Sequence, residues 1–420
     1  MKILHLSTGD SKGAFYGAYR THINLKRFSH QSTMCVFDKT SNDTDVIELS
    51  QIRRKMFGFL GKLFRRLFVN RDITEDKTYL IYSSTFSTYE LFKKYKQKPD
   101  LILVYYVADF LSDKDLFEIQ KHYQCRIAFY LMDAGMFTGG CHYPWRCEGY
   151  KNDCSNCPAM LYPKLIKLPQ QVLRNRKKYY SEMDCFYLSA SKWLDERCLT
   201  SSIKAKYGMK KALIGIDENI FTPRLSDIAR KYLGINIPDG HRIILLGAQS
   251  LNDPRKGVKY VADALEYIKE NNPRLLDNIS ILTVGSQPQK IIFDGVSLIN
   301  IDFIHDKNKY PYLYNVADGF ICSSIEDAGP MMINESLMSG TPVISFKTGV
   351  AEDLIIDGVN GFLAESVSAI ALADAIAAFL KLTTFELMEQ KHSSRSIALN
   401  RCSSLVQVQA IESLISNEIN

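Results

Sequence analysis

The sequence predicts an α/β protein built from two doubly wound parallel sheets. Three observations carry that reading. Short apolar runs recur along the chain with helical stretches between them, at 2–7, 33–37, 101–106, 126–131 and 185–190, then at 242–246, 280–284, 296–299, 319–322 and 342–346. Strands that alternate with helices form βαβ units, whose parallel strands are buried on both faces and read as near-continuous apolar runs. The runs also fall into two series, and a Pro238-Asp239-Gly240 turn precedes the second, which gives two doubly wound domains. Finally, 317–362 reads as apolar strand, acidic loop, Gly329-Pro330 turn, short helix, Gly340-Thr341-Pro342 stop and a second apolar strand.

Bulk properties set the frame for these elements. The chain has 420 residues, 46% of them hydrophobic and 23% charged, enough for two or three ordinary domains. No stretch of about 18 uncharged apolar residues exists, so no spanning helix is expected. The first ten residues turn polar too quickly for a signal peptide and read as a buried strand running into a glycine loop. The expected location is therefore the cytoplasm, where the ten cysteines are thiols or metal ligands before they are disulfides. A net charge of +6 suits anionic lipids, nucleotides or acidic glycans alike. No nucleic-acid motif accompanies it, so no nucleic-acid partner is expected. Internal repeats and low-complexity segments are absent from the sequence.

Taken in chain order, six segments carry chemistry or a candidate partner. The loop 7–17 follows the first strand and opens a helix, where backbone amides can approach a ligand. Its glycines are Gly9, Gly13 and Gly17. It is neither a full dinucleotide fingerprint nor a P-loop, and a plain strand-to-helix turn is the other reading. Residues 53–68 place apolar side chains at 56, 59, 60, 63, 64, 67 and 68 on one helical face. Arg53, Arg54, Lys55, Lys62, Arg65 and Arg66 crowd the rest. Such a helix suits an anionic membrane surface, or packs with a solvated basic edge.

The loop 131–143 lies at the carboxyl edge of the sheet, where ligands bind in doubly wound folds. Asp133 or His142 there could position or deprotonate a hydroxyl group, or serve as a loop cap and a surface residue. Cys141, Cys147, Cys154 and Cys157 follow within 17 residues. Four thiolates at that density suit a tetrahedral structural zinc; free thiols and two disulfides are the competing readings. A closed four-cysteine shell leaves no position for substrate, so no metal catalysis is expected from it.

After the strand at 242–246, the turn Asp253-Pro254-Arg255-Lys256-Gly257 offers two cations to a phosphate leaving group. In the acidic loop, Glu326 and Asp327 precede Gly329-Pro330 and a helix. The Met331 and Met332 amides, just after Pro330, suit a distal phosphate, because the first amides of a helix lack intrahelical partners. Glu335 lies one helical turn further on.

The stretch from Glu335 through Ser336-Leu337-Met338-Ser339 to Gly340-Thr341-Pro342-Val343 resembles the nucleotide-sugar site of family 4 retaining glycosyltransferases of the GT-B fold. Asp327 stands where that family usually has a first Glu, with Glu326 one residue early. Lys256-Gly257 matches the family's Lys-Gly, whereas Ala248 or Gln249 stands where an Arg is common. The segment Asp133 to His142, with Thr138-Gly139-Gly140-Cys141, resembles bacterial polysaccharide and O-antigen members, with Met132 replacing a usual His. Weaker matches are Ser189 to Leu194, the 213–223 stretch, and Tyr314-Asn315-Val316-Ala317-Asp318.

The resemblance implies two Rossmann-like domains facing across a cleft. It places the acceptor-side domain at 1–218, with 404–420 packing back on it, and the nucleotide-sugar domain at 219–403, the linker lying near 218–240. It implies a sugar transfer with retention from a nucleoside diphosphate sugar to a hydroxyl of a glycan, expected to be lipid-linked, at the inner face of the cytoplasmic membrane. Glu335 would hold ribose hydroxyls, and Asp327 or Glu326 the donor sugar. Gly13, Arg255, Lys256, Pro330, Met331 and Met332 would surround the diphosphate without a catalytic metal. An epimerase or hydrolase of the same fold, and a non-catalytic zinc-stabilised glycan-binding scaffold, are the alternatives.

Overall fold

A computed structural model describes residues 1–11, 13–49, 63–64, 66–69, 88–162, 166–238, 240–286, 293, 295–302, 304, 306 and 308–415. The chain divides into two compact units, 1–214 with 407–420 and 215–406. The break thus falls at 214/215, where the sequence pointed to 218/219. The stretch 218–240 is also no bare linker. It holds the helix Ser226–Leu233, whose Tyr232 ring lies 4.4 Å from that of Tyr312, so it belongs to the second unit.

The first unit is a seven-stranded parallel sheet in the order β3-β2-β1-β4-β5-β6-β7. Its strands are β1 (Lys2–Gly9), β2 (Gln31–Asp38), β3 (Val46–Glu48), β4 (Leu101–Val104), β5 (Arg126–Leu131), β6 (Cys185–Ser189) and β7 (Met209–Lys211). The four residues of β4 and the five of β6 are all buried, as an inner strand covered on both faces requires. Strand order reverses between β1 and β4, which makes the carboxyl ends of these two strands the switch point where doubly wound folds bind ligands.

The second unit repeats the plan with six parallel strands, β10-β9-β8-β11-β12-β13. They are β8 (Arg242–Ser250), β9 (Ile279–Ser286), β10 (Ser297–Asp302), β11 (Gly319–Cys322), β12 (Val343–Phe346) and β13 (Gly361–Ala364). The switch point lies between β8 and β11. A buried apolar cluster fills one side of the sheet, with Ile244, Leu246, Ile281, Ile321 and Phe346 packed on Val261, Leu265 and Phe379.

The chain returns to the first unit at its end. The helix Ser404–Glu412 begins in the second unit, and Gln407 then belongs to the first. Gln407 Nε2 donates to Thr21 Oγ1 at 2.9 Å and Tyr130 Oη at 3.0 Å, and its Oε1 accepts from Asn24 at 2.8 Å. All three partners are buried, so the amide docks that helix by polar matching. Most of 53–68 lies outside the described residues, including Arg53, Arg54, Lys55, Lys62 and Arg65. Among the described residues no helix is long and apolar enough to cross a membrane.

A buried polar chain beneath β1 makes the first unit acid-sensitive. His5 Nδ1 meets Tyr105 Oη at 2.9 Å, Ser32 Oγ bridges His5 Nε2 and His22 Nδ1, and His22 Nε2 lies 3.4 Å from Asp43. Burial pushes His22 down to about 4 despite the opposing Asp43 carboxylate, with Lys26 adding to the fall. Burial and the neighbouring His22 hold His5 well below the usual histidine range. The folded chain keeps His22 neutral while the unfolded chain takes up a proton below pH ~6.5, so stability rises with pH across this window. Lowering the pH from about 6.5 to about 4 is expected to remove on the order of 3 kcal/mol through His22 alone. Melting temperature against pH reads this directly, and His22→Gln should flatten the slope.

Candidate nucleotide-sugar site

The second unit's site is built at the β8/β11 switch point by two loops that lock together. After β8 the chain makes a 3-10 turn, Pro254–Lys256, whose start is capped by Asp253 accepting from the Arg255 amide at 3.0 Å. Gly257 then takes φ 61° and opens the helix Val258–Asn271. A Cβ at Gly257 would sit 2.1 Å from the Ser323 carbonyl, so only glycine allows the turn to lie against the loop after β11. The contact is sealed by Ile325 N donating to Arg255 O at 2.8 Å and Ser323 Oγ donating to Lys256 O at 2.7 Å.

This packing delivers Lys256 to the acidic loop. Its Nζ donates to Asp327 Oδ2 at 2.5 Å, with side-chain exposures of 24% and 9%. Gly329 N also donates to Asp327, at 3.1 Å. Burial alone would lower the Lys256 pKa, but the Asp327 carboxylate outweighs it and the net shift is upward. Burial likewise works against the Asp327 anion and is outweighed by Lys256 and the Gly329 amide, so its pKa falls. Both groups stay charged across the neutral range.

Arg255 is placed differently from the sequence reading. Its guanidinium grips Asp253 through Nε at 3.2 Å and Nη2 at 2.5 Å, a local clamp that rigidifies the turn. Its charge still acts on both Lys256 and Asp327. Glu326 is buried beside Asp327.

The acidic loop leads into the helix Met331–Met338 through Pro330 at the N-cap, a residue with no side chain to cap the helix. Ile333 N bonds Pro330 O at 2.9 Å, which starts the helical ladder. An N-terminus of this kind presents partial positive charge beside the Lys256–Asp327 pair. One turn on, buried Glu335 accepts a 2.6 Å bond from Tyr314 Oη. Burial, then the Glu335 charge, drive the Tyr314 phenol well above its usual range, so it remains a donor.

Two site residues were missed by sequence reasoning. Tyr314 stood there only as part of a scaffold match; its distance of 21 residues from Glu335 hid the bond. Gly349, at φ 62°, lies against the acidic loop so closely that a Cβ would come within 2.7 Å of Pro330 Cδ and 2.9 Å of the Asp327 carbonyl. A glycine in the Thr348-Gly349-Val350 turn was the only available signal.

On the first unit, Gly13 takes φ 49° at the start of the helix Gly13–Arg27, after β1. Asp133 and His142, alternatives in the sequence, belong together. His142 Nδ1 lies 2.8 Å from Asp133 Oδ2, although not along a hydrogen-bonding direction. Asp133 Oδ1 accepts from Gly135 N at 2.5 Å, and Ala134 N bonds His142 O at 2.9 Å. Behind them, fully buried Arg176 pairs with Asp113 at 3.2 Å and donates to the carbonyls of Gly135 and Thr138. A buried guanidinium needs such acceptors, and here they fix the loop's path. All ten cysteines are free thiols. Cys141, Cys147, Cys154 and Cys157 line one cavity, but as placed no three of them converge in a metal-ready arrangement.

Two parallel Rossmann-like sheets in one chain, each with loops gathered at a switch point, define the GT-B fold class. Residues 236–395 match the family model described as Glycosyl transferases group 1, and the second unit carries a domain of that family. The chain is similar to the putative colanic acid biosynthesis glycosyl transferase WcaC of Escherichia coli (strain K12), 25% identical over 237 residues, which is 54% of this chain and 53% of that protein. It is also 25% identical over 158 residues to the lipopolysaccharide 1,2-N-acetylglucosaminetransferase of Salmonella typhimurium (strain LT2), covering 34% of this chain and 40% of that one. These matches span about half or less of the relatives' lengths. Among solved structures, Anabaena HepE in complex with UDP-glucose superposes with a TM-score of 0.62 at 16% identity, covering 99% of this chain and 100% of that one.

Proposed function

We propose that the chain is a retaining glycosyltransferase of bacterial surface polysaccharide synthesis, which takes a sugar from a nucleoside diphosphate donor. One observation carries the reading: at the β8/β11 switch point a half-buried, charged lysine meets the acidic loop that leads through Pro330 into a helix N-terminus. Such an arrangement suits an anion with hydroxyls attached. The diphosphate would sit at the Met331 and Met332 amides and Lys256, the ribose on Glu335, and the sugar against Glu326 or Asp327.

In the reaction, the acceptor hydroxyl oxygen bonds to the anomeric carbon while the diphosphate oxygen departs with the bonding pair. Negative charge grows on the leaving group. A preorganised cation and helix dipole favour that charge more than the ground state, which lowers the barrier. Lys256, held on Asp327, is the proposed cation for the leaving group, since Arg255 is clamped by Asp253. Asp133, steadied by Gly135 N and His142, is the proposed acceptor-side residue. A lipid-linked glycan acceptor at the inner membrane face belongs to the same proposal.

The test is a melting-temperature screen with UDP, GDP, ADP and their common sugars, followed by transfer to glycan acceptors. At about 100 times its Kd, a donor product that binds only the folded chain adds roughly 2.7 kcal/mol of stability. One nucleoside diphosphate should raise the melting temperature well above the others, and NMR of the product should show the donor's anomeric configuration kept. Donor converted to free sugar or to an isomer, with no product on any acceptor, would replace transfer by hydrolysis or epimerisation. No shift with any nucleotide would remove the donor site itself.

A further inference from the structure

We infer that Cys141, Cys147, Cys154 and Cys157 bind one structural zinc ion that staples the loop following β5. This inference is independent of the sugar-transfer reading.

The four side chains line a single cavity of about 20 Å³, the size of one water or ion. Backbone amides lie beside three of the sulfurs: that of Gly149 beside Cys147, that of Gly139 beside Cys154, and those of Ala159 and Met160 beside Cys157. In two of these sets the donor lies two residues after the cysteine. Amide donors on sulfur stabilise a thiolate, and such second-layer hydrogen bonds orient metal ligands. Glycine is required at 139, where a Cβ would lie 2.6 Å from Pro169 O and 2.9 Å from Cys154 Sγ.

Two further features accord with a cross-link. Cys154 takes φ 55°, a left-handed conformation that L-residues avoid. Cys157 and Met160 form a small buried cluster with Val69 at the far end of the loop. A tetrahedral metal would tie that end to Cys141 and Cys147. Cys141 and Cys157 are neighbours, and metal binding would require cysteine side chains to rotate about their Cα–Cβ bonds to close the shell. On ligation each thiol releases one proton to solvent and donates a sulfur lone pair to Zn²⁺. No electron is transferred.

Ordering reaches the proposed acceptor residue. Thr138 Oγ1 donates to Cys141 O at 2.8 Å, and His142 directly follows Cys141. Ser202 donates twice to Tyr150 O, tying the loop's middle to the chain before β7.

The full chain, purified without chelator, should carry about one zinc per molecule after dialysis. Cobalt exchange should give thiolate-to-metal charge-transfer bands and a tetrahedral ligand-field spectrum. Cys154→Ser and Cys157→Ser should each cut bound metal at least tenfold, while Cys125→Ser, half-buried elsewhere, should keep it. Metal content and spectrum of the wild-type chain decide the matter even if a variant fails to fold. Zinc-free wild-type protein, whether its four thiols titrate as free or map as disulfides, overturns the inference. So does full zinc retention in Cys157→Ser.

Discussion

Lys256→Ala should lower kcat for sugar transfer by roughly 10²–10³, the cost of removing one preorganised charge from a developing oxyanion. The same change leaves Asp327, with 9% of its side chain exposed, without its cation. Breaking a buried ion pair by deleting one partner costs about 3–5 kcal/mol. The low end applies here, because Lys256 keeps 24% exposure and Gly329 N still serves Asp327. Loss of activity and loss of stability must therefore be separated. Asp327→Asn in the Lys256→Ala background removes the orphaned charge and should restore much of the melting temperature. If Lys256 acts on the leaving group, kcat in the double variant stays well below that of Asp327→Asn alone. Recovery of kcat together with stability would make the lysine a strut and nothing more.

The pair also has a defined pH window. Asp327 has a folded pKa below its unfolded value, so its contribution is present above pH about 4 and is lost as pH falls through the folded value. Lys256 is raised, so its contribution is complete below pH about 10 and is lost as pH rises through its folded value. Between these limits the pair is constant. Acid sensitivity near pH 5 or 6 then belongs to His22 and His5 in the first unit.

Inner strands and the acidic-loop helix were legible in the sequence, because burial on both faces leaves continuous apolar runs. The edge strands β3 and β7 were not. Each has three residues, and β7 is Met-Lys-Lys, with too little apolar surface to leave a pattern. The candidate site was legible as residue types and only partly as partners. Lys256 and Asp327 were both named, yet 71 residues separate them, and their pairing follows from sheet order placing β8 beside β11. The Arg255–Asp253 clamp was local enough to be found, since an Asp two residues before an Arg in a turn competes for its guanidinium. Gly349 could not be weighed without coordinates, because its role is the space it leaves beside Pro330.

Glu335→Ala should act on donor binding rather than on the chemical step. Under the proposed function this carboxylate accepts both ribose hydroxyls, and hydrogen bonds to a charged group are worth about 1.5–3 kcal/mol each. Losing two raises the donor KM by 10²-fold or more, with a smaller change in kcat, the pattern of an interaction made equally in ground and transition states. The variant also removes the shorter of two bonds at the buried Tyr314 hydroxyl, leaving Tyr310 Oη at 3.4 Å, which costs about 1 kcal/mol of stability. Tyr314→Phe provides the control. It removes that 2.6 Å bond but leaves the carboxylate charged, so donor affinity should fall only about tenfold, through looser positioning. The effect should shrink for a donor lacking one ribose hydroxyl, because part of the interaction is then already missing. Glu335→Ala protein that binds the nucleoside diphosphate as tightly as wild type, read by its melting shift, would place the ribose elsewhere. The helix Met331–Met338 would then serve the phosphates alone.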